Sequence, residues 1–355
     1  MVTMQQDLVI VKLDGARRLL AEAVTIQQTK RVVDLALSAE VFARRQKLGQ
    51  EAVGYATEIK MDALRQLGAM LKATERNNGT LLRGAKKEPR EDAPPTLAEL
   101  GLDKKTSKLA QDVAALPDEL FDKVKDGAAH LAQAQKEFKR QERDAARAEM
   151  AESAKTVPVS DRWHVYTGDI QTWDAPRQYD CIITDPPYPR EYVDLYGVLA
   201  ERAKTWLKPG GLLIAMAGQS YLPEIYRLMG EHLTYLWTAA YLTPGGQSVQ
   251  LFQRKVNTFW KPLLIFANGE YSGKWFGDVA KSAPNDNDKD NHEWGQSVSG
   301  MRDVVGRFAD PGAYVLDPFC GAGTTGIAAL AAGCQFDGLE VDAETANIAI
   351  GRLGL

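Results

Sequence analysis

Tyr314-Val315-Leu316-Asp317-Pro318-Phe319-Cys320-Gly321-Ala322-Gly323-Thr324-Thr325 decides the fold of the C-terminal half of this 355-residue chain. A short apolar run predicts a strand, and an alanine-rich pattern over 326–332 predicts a helix after it. Between them stand two glycines one residue apart. They let the backbone turn tightly and approach a ligand closely, because no side chain intervenes. A second stretch, Asp185-Pro186-Pro187-Tyr188, follows the apolar run Tyr179-Asp180-Cys181-Ile182-Ile183-Thr184 and also sits where a strand ends. Open α/β sheets bind ligands at the carboxyl ends of their strands. A further strand over 335–339 ends in Glu340-Val341-Asp342. An acid there suits a bidentate grip on two ribose hydroxyls, as in dinucleotide-binding folds, and Asp342 is the expected N-cap of a last helix over 343–353.

The two stretches together resemble the amino-methyltransferases that act on nucleic-acid bases. The tetrad comes first and the glycine turn last, an order similar to that of the permuted β group of DNA methyltransferases. The resemblance covers residues 160–355. It implies an α/β, Rossmann-like methyltransferase domain that takes S-adenosyl-L-methionine as cofactor and double-stranded DNA as partner. It makes Asp185, Pro186, Pro187 and Tyr188 the catalytic motif. It places Phe319, Gly321 and Gly323 around the methionine end of the cofactor, with Asp317 accepting from the amino group and Thr324 and Thr325 bonding the carboxylate. In Gly168-Asp169-Ile170 it makes Asp169 the acceptor for the adenine amino group, with Ile170 against the ring. A family segment that lines the cofactor often holds a lysine-proline pair. This chain has Gln296-Ser297 instead, which leaves Gln296 or His292 as the candidate.

The tetrad has a chemical rationale. An exocyclic amine of adenine is a poor nucleophile because its lone pair is delocalised into the ring. Two acceptors aimed at its two hydrogens draw the lone pair towards tetrahedral geometry and stabilise the charge that develops. The Asp185 carboxylate and the Pro186 carbonyl would be those acceptors. Pro187 fixes the turn. Tyr188 offers a flat face for a base extruded from the duplex. In the family an acid at the first position leans towards adenine N6 and a serine towards cytosine N4. Cytosine N4, an RNA base, or a DNA-binding regulator that keeps the fold without turnover are the alternatives.

Residues 1–155 are expected to form a helical domain and 156–355 the methyltransferase domain. Formal net charge is −4. Up to residue 155 there are 27 basic and 24 acidic side chains, and after it 16 against 23. DNA contact must therefore come from local patches or from the N-terminal half. Apolar spacing over 13–73 predicts two or three long helices. Residues 79–95 read as a basic linker. Thr96 and Glu99 have capping-box spacing, and 96–115 resembles a helix-turn-helix whose second helix carries Lys104, Lys105 and Lys108. An ordinary helical hairpin has the same pattern. The charged helical stretch 118–153 would bridge the domains, mediate a homodimer, or simply present a solvated face. In the catalytic half, Arg190, Arg254, Lys255 and Lys261 are candidate DNA contacts, and 244–257 reads as a polar loop. Cys181, Cys320 and Cys334 have neither a disulfide framework nor a metal-ligand spacing, so no metal is expected. The absence of a long apolar run or signal-peptide pattern implies a cytoplasmic protein without a membrane span. Nothing resembles the motor or nuclease of a restriction enzyme, which favours a free-standing modification enzyme.

Overall fold

The computed structural model describes residues 2–74, 95–127, 129–244, 249–284 and 297–355. The chain divides into two compact units, Met1–Glu142 and Arg143–Leu355. The division falls inside the helix expected to join the domains rather than after it. The last turns of that helix pack within the second unit, where a Cβ on Gly351 would stand 2.2 Å from the Met150 carbonyl oxygen.

The first unit contains α1 (Val2–Glu22), α2 (Ile26–Arg45), α3 (Gln50–Ala73), α4 (Lys104–Ala114), α5 (Asp118–Lys125) and the start of α6 (Leu131–Ser153). Helix α2 opens on a capping box in which the Thr25 side chain accepts from Gln28 N and the Gln28 side chain accepts from Thr25 N. Leu13, Val32, Ala36, Leu64, Leu67 and Val113 share one core. The expected helix-turn-helix is corrected. Thr96 and Glu99 do form their reciprocal bonds, but residues 97–101 make a single turn. Only four residues separate Thr96 from Gly101, whose φ of +71° ends the turn. The second helix is real: α4 starts at its N-cap Asp103 and exposes Lys104, Lys105 and Lys108.

Helices α3 and α4 touch through their backbones. A Cβ on Gly68 would lie 2.0 Å from the Ala110 carbonyl oxygen, whereas one on Gly54, in the same helix, would meet nothing within 4 Å. Ala gains about 1 kcal/mol of helix propensity over Gly at either site. At Gly68 the clash with fixed backbone outweighs it, because overpacking costs ~1–3 kcal/mol or more. Thermal denaturation of the full chain is expected to show Gly54→Ala raising the midpoint and Gly68→Ala lowering it.

The second unit is a twisted sheet between helices. Its elements are β1 (Trp163–Thr167), β2 (Tyr179–Thr184), α7 (Leu195–Trp206), β3 (Leu207–Met216), α8 (Leu222–Gly230), β4 (Thr234–Leu242), β5 (Val249–Leu251), β6 (Val256–Thr258), β7 (Trp260–Ala267), β8 (Val279–Lys281), α9 (Val298–Phe308), β9 (Tyr314–Asp317), α10 (Thr324–Ala331), β10 (Gln335–Glu340) and α11 (Ala343–Leu353). Among the described residues, eight strands run in the order β1-β10-β9-β2-β3-β7-β4-β8. The first five are mutually parallel, and β7 is antiparallel to both β3 and β4. Successive side chains of β2 alternate between faces, as strand geometry requires. Cys181 and Ile183 enter the core shared with α9, α10 and α11. Ile182 enters the core shared with α7 and α8, and Tyr179 joins it because the register with β3 shifts between Tyr179 and Cys181.

Three elements differ from expectation. Lys208 to Gly211, whose Lys-Pro-Gly-Gly sequence reads as a helix stop, belongs to β3, where Gly210 N donates to the Asn268 carbonyl and Asn268 N to that of Gly211. Part of the expected loop 244–257 is the β5–β6 hairpin. The short strand β8 was not expected. No described helix is long and apolar enough to cross a membrane.

Candidate active site

Five parallel strands end on one edge of the sheet, and four of the five ends carry residues singled out above. In spatial order the ends carry Gly168-Asp169 after β1, Glu340 on β10, the glycine turn after β9, Asp185 after β2, and Gly218 after β3. The register aligns them, pairing Thr167 with Glu340, Gly338 with Asp317, and Thr184 with Ala215. Three strand intervals of ~4.8 Å put the ends of β1 and β2 about 14 Å apart. Strand order reverses between β9 and β2, the position where open sheets form their ligand crevice.

The glycine turn is built from the backbone outwards. Gly321 (φ +49°) and Gly323 (φ +80°) occupy the left-handed region that side chains disfavour. Gly323 N donates to the Cys320 carbonyl at 2.8 Å, and Cys320 N to that of Leu339 at 3.0 Å. Glu340 reaches back to this turn: one carboxylate oxygen accepts from Gly321 N at 2.9 Å and the other from Asp342 N at 3.1 Å. A Cβ on Gly338 would stand 2.9 Å from Cys320 Sγ, so turn and strand pack without spare room.

Asp317 ties β9 to β2. Its Oδ1 accepts from Thr184 Oγ1 at 2.7 Å and from Phe319 N at 3.1 Å, and the Thr325 hydroxyl also bonds its side chain. The carboxyl is 3% exposed, and burial pushes it up to about 6 despite these donors. The folded protein therefore holds this proton more tightly than the unfolded chain, whose aspartates titrate near 3.8. Asp317's contribution to stability is largest at the acid end and falls as the pH rises through about 6, by on the order of 3 kcal/mol. Asp317→Asn keeps an oxygen for Thr184 Oγ1 and Phe319 N and removes the titration. Urea unfolding between pH 4 and pH 7 is expected to show the wild-type-minus-variant stability falling with pH; a constant difference would refute it.

In the tetrad, the Tyr188 hydroxyl donates to Asp185 Oδ1. Burial first, and the Asp185 charge second, push that hydroxyl well above the usual tyrosine range, so it stays protonated and keeps donating. Lys261 Nζ lies over the Tyr188 ring, 5.4 Å from its centroid. Gly218 admits the side chain, since a Cβ there would sit 3.3 Å from Tyr188 Cβ. The tetrad opens on a cavity of ≈260 Å³ lined by Tyr188, Gly218, Tyr221, Tyr241, Trp260 and Lys261, among others.

The remaining candidates fall as follows. Asp169 is exposed, with Oδ1 accepting from Gln171 N at 2.9 Å. Ile170 is buried in the core with Leu316 and Leu339. Phe319 is half-buried against that core. Thr324 and Thr325 open α10, and Thr324 Oγ1 accepts from Arg352 at 3.3 Å. Gln296 and His292 lie outside the described residues. Arg190 pairs with Glu224 at 3.0 Å. Arg254 donates to the Ser220 carbonyl at 2.8 Å. Lys255 is exposed. Lys104, Lys105 and Lys108 belong to the other unit. Gly218, Tyr241 and Trp260 went unrecognised in the sequence; their signal is position at the ends of β3, β4 and β7, visible only once strand order is known. The three cysteines are buried and free, and burial pushes each thiol up, as suits packing rather than chemistry.

Residues 247–351 match the DNA methylase family, of the N6/N4 type. "Putative methylase YubD" of Escherichia coli (strain K12) is 25% identical over 187 residues, covering 46% of this chain and 76% of that protein. Among solved structures, the M1.HpyAVI-SAM complex is 21% identical with a TM-score of 0.46, covering 54% of this chain and 100% of that one. PvuII DNA methyltransferase (cytosine-N4-specific) is 16% identical with a TM-score of 0.46, covering 54% and 87%. The sheet order and the crevice give the second unit a Rossmann-like α/β fold. The family match lies within the second unit and spans the glycine turn and Glu340.

Proposed function

We propose that the chain is a DNA methyltransferase that transfers a methyl group from S-adenosylmethionine to adenine N6 of an extruded base. The observation that carries this is the order of groups along the strand ends. Asp169, Glu340, the glycine turn and Asp185 follow one another as adenine, ribose, methionine and target amine would have to. The residues present fit that cofactor. Nothing stands within 4 Å of where a Gly321 Cβ would be, so backbone is open to a ligand. The N-terminus of α10, just beyond, offers N–H groups to a carboxylate. Each Glu340 oxygen keeps a lone pair beyond its one backbone donor, enough for two ribose hydroxyls. Phe319, Thr324 and Asp169 would complete the contacts.

When bound, S-adenosylmethionine supplies an electrophilic methyl group. The protein's own work is to bind the base, orient its amine and take up the developing positive charge. Asp185 and the Pro186 carbonyl accept from the two amine hydrogens, and Tyr188, by donating to the same carboxylate, fixes its direction. The aspartate at the head of the tetrad favours adenine. DNA contacts would come from Lys255 in this unit and from Lys104, Lys105 and Lys108 on α4, where positive charge is concentrated. Incubation with tritiated S-adenosylmethionine and unmethylated genomic DNA, followed by digestion to nucleosides, tests the proposal. Label in N6-methyladenosine is expected. Label in N4-methylcytosine would replace the base and keep the mechanism, and label only in RNA would overturn the DNA reading.

A further inference from the structure

The connection from β4 to β7 leaves the sheet on the tetrad's edge, because β4 ends and β7 begins there. It carries the β5–β6 hairpin, with Leu251 paired to Val256. The tip presents two apolar side chains to solvent, Phe252 at 80% and Val256 at 51% exposure. Arg254 and Lys255 lie between them. Arg254 donates to the carbonyl of Ser220, a residue lining the Tyr188 cavity, so the tip is anchored to the wall of the base pocket. Lys255 adopts φ +55°, a conformation uncommon outside glycine, and its side chain remains exposed. Folding alone has no use for a phenylalanine held out into water on an anchored tip beside a lysine. A duplex losing one base to an adjacent pocket does: the gap in the stack accepts an apolar side chain, and the neighbouring phosphates accept a cation.

We propose that Phe252, backed by Val256, is a wedge that enters the base stack as the target base turns into the Tyr188 cavity, with Lys255 on an adjacent phosphate. The proposal rests on the DNA methyltransferase reading. Phe252 is a positioning residue: it acts on the duplex and touches no reacting atom. Initial rates of tritium transfer to unmethylated genomic DNA, native and heat-denatured, test it with wild type, Phe252→Ala and Phe252→Leu. Phe252→Ala is expected to slow labelling of the duplex about 10- to 100-fold, the scale of one lost base–aromatic stack, and to slow labelling of single strands far less. Phe252→Leu, still apolar, should restore most of the duplex rate. Unchanged cofactor affinity would show that the variants fold. Wild-type rates on duplex in Phe252→Ala, equal losses on both substrates, or no restoration by leucine would each overturn the wedge while leaving the enzyme reading intact. Failure of the wild type to label either substrate would remove that reading, and the wedge with it.

Discussion

Asp185→Ala is expected to lower methyl transfer by at least 10²- to 10³-fold, the scale on which one preorganised electrostatic group acts at a reacting centre. The loss should appear in kcat, because the proposed role of Asp185 is to meet charge that develops only as the methyl arrives. Affinity for S-adenosylmethionine should change little, since the proposed cofactor grips lie on other strands, at Glu340 and the glycine turn. Tyr188→Phe separates two contributions. It removes the hydroxyl that donates to Asp185 and keeps the ring that lines the cavity. Its loss should be smaller than that of Asp185→Ala and should also lie in kcat. Steady-state rates with both substrates varied check the pair. Equal losses in the two variants would mean that the carboxylate works only when the hydroxyl holds it, the two acting as a unit.

Glu340→Ala should have the complementary signature. Hydrogen bonds to a charged group are worth ~1.5–3 kcal/mol each, so losing two to ribose hydroxyls predicts a cofactor Kd raised on the order of 100-fold. kcat at saturating cofactor should fall much less. Part of the effect would arise inside the protein, because Glu340 also accepts from Gly321 N and Asp342 N. Glu340→Gln retains an acceptor for the turn and loses the charge, so its affinity should fall between wild type and alanine. Titration calorimetry measures this directly. Wild-type affinity in Glu340→Ala would remove the acid from the cofactor site.

Much of the second unit was legible because local signals and tertiary structure agree there. Helix α11 starts where Asp342 caps it, the carboxylate accepting from a backbone N–H three residues on. Strand β2 reads from its apolar run and the prolines after it. What escaped depends on distant partners. Lys208 to Gly211 looks like a helix stop followed by a turn, yet backbone pairing with Asn268 draws it into β3. The β5–β6 hairpin has only three residues in each strand and little apolar alternation. The capping box at Thr96 is genuine, but a box starts a helix and does not lengthen one, and Gly101 follows too soon.

The site divides the same way. Residue types that define a strand-end motif could be singled out from the chain alone. Their partners could not. Arg190 reads as a free cation until Glu224 is found beside it, and Arg254 until the Ser220 carbonyl is. Lys261 reads as one more loop cation until it is found over the Tyr188 ring.

A crystal structure of the protein with S-adenosylhomocysteine bound tests the central claim most directly. The account predicts adenine beside Asp169, both ribose hydroxyls on the Glu340 carboxylate, the amino-acid end on the turn from Phe319 to Thr324, and the sulfur facing Asp185 across the mouth of the Tyr188 cavity. A ligand bound elsewhere, or one lying along this edge with its sulfur turned away from Asp185, would contradict it.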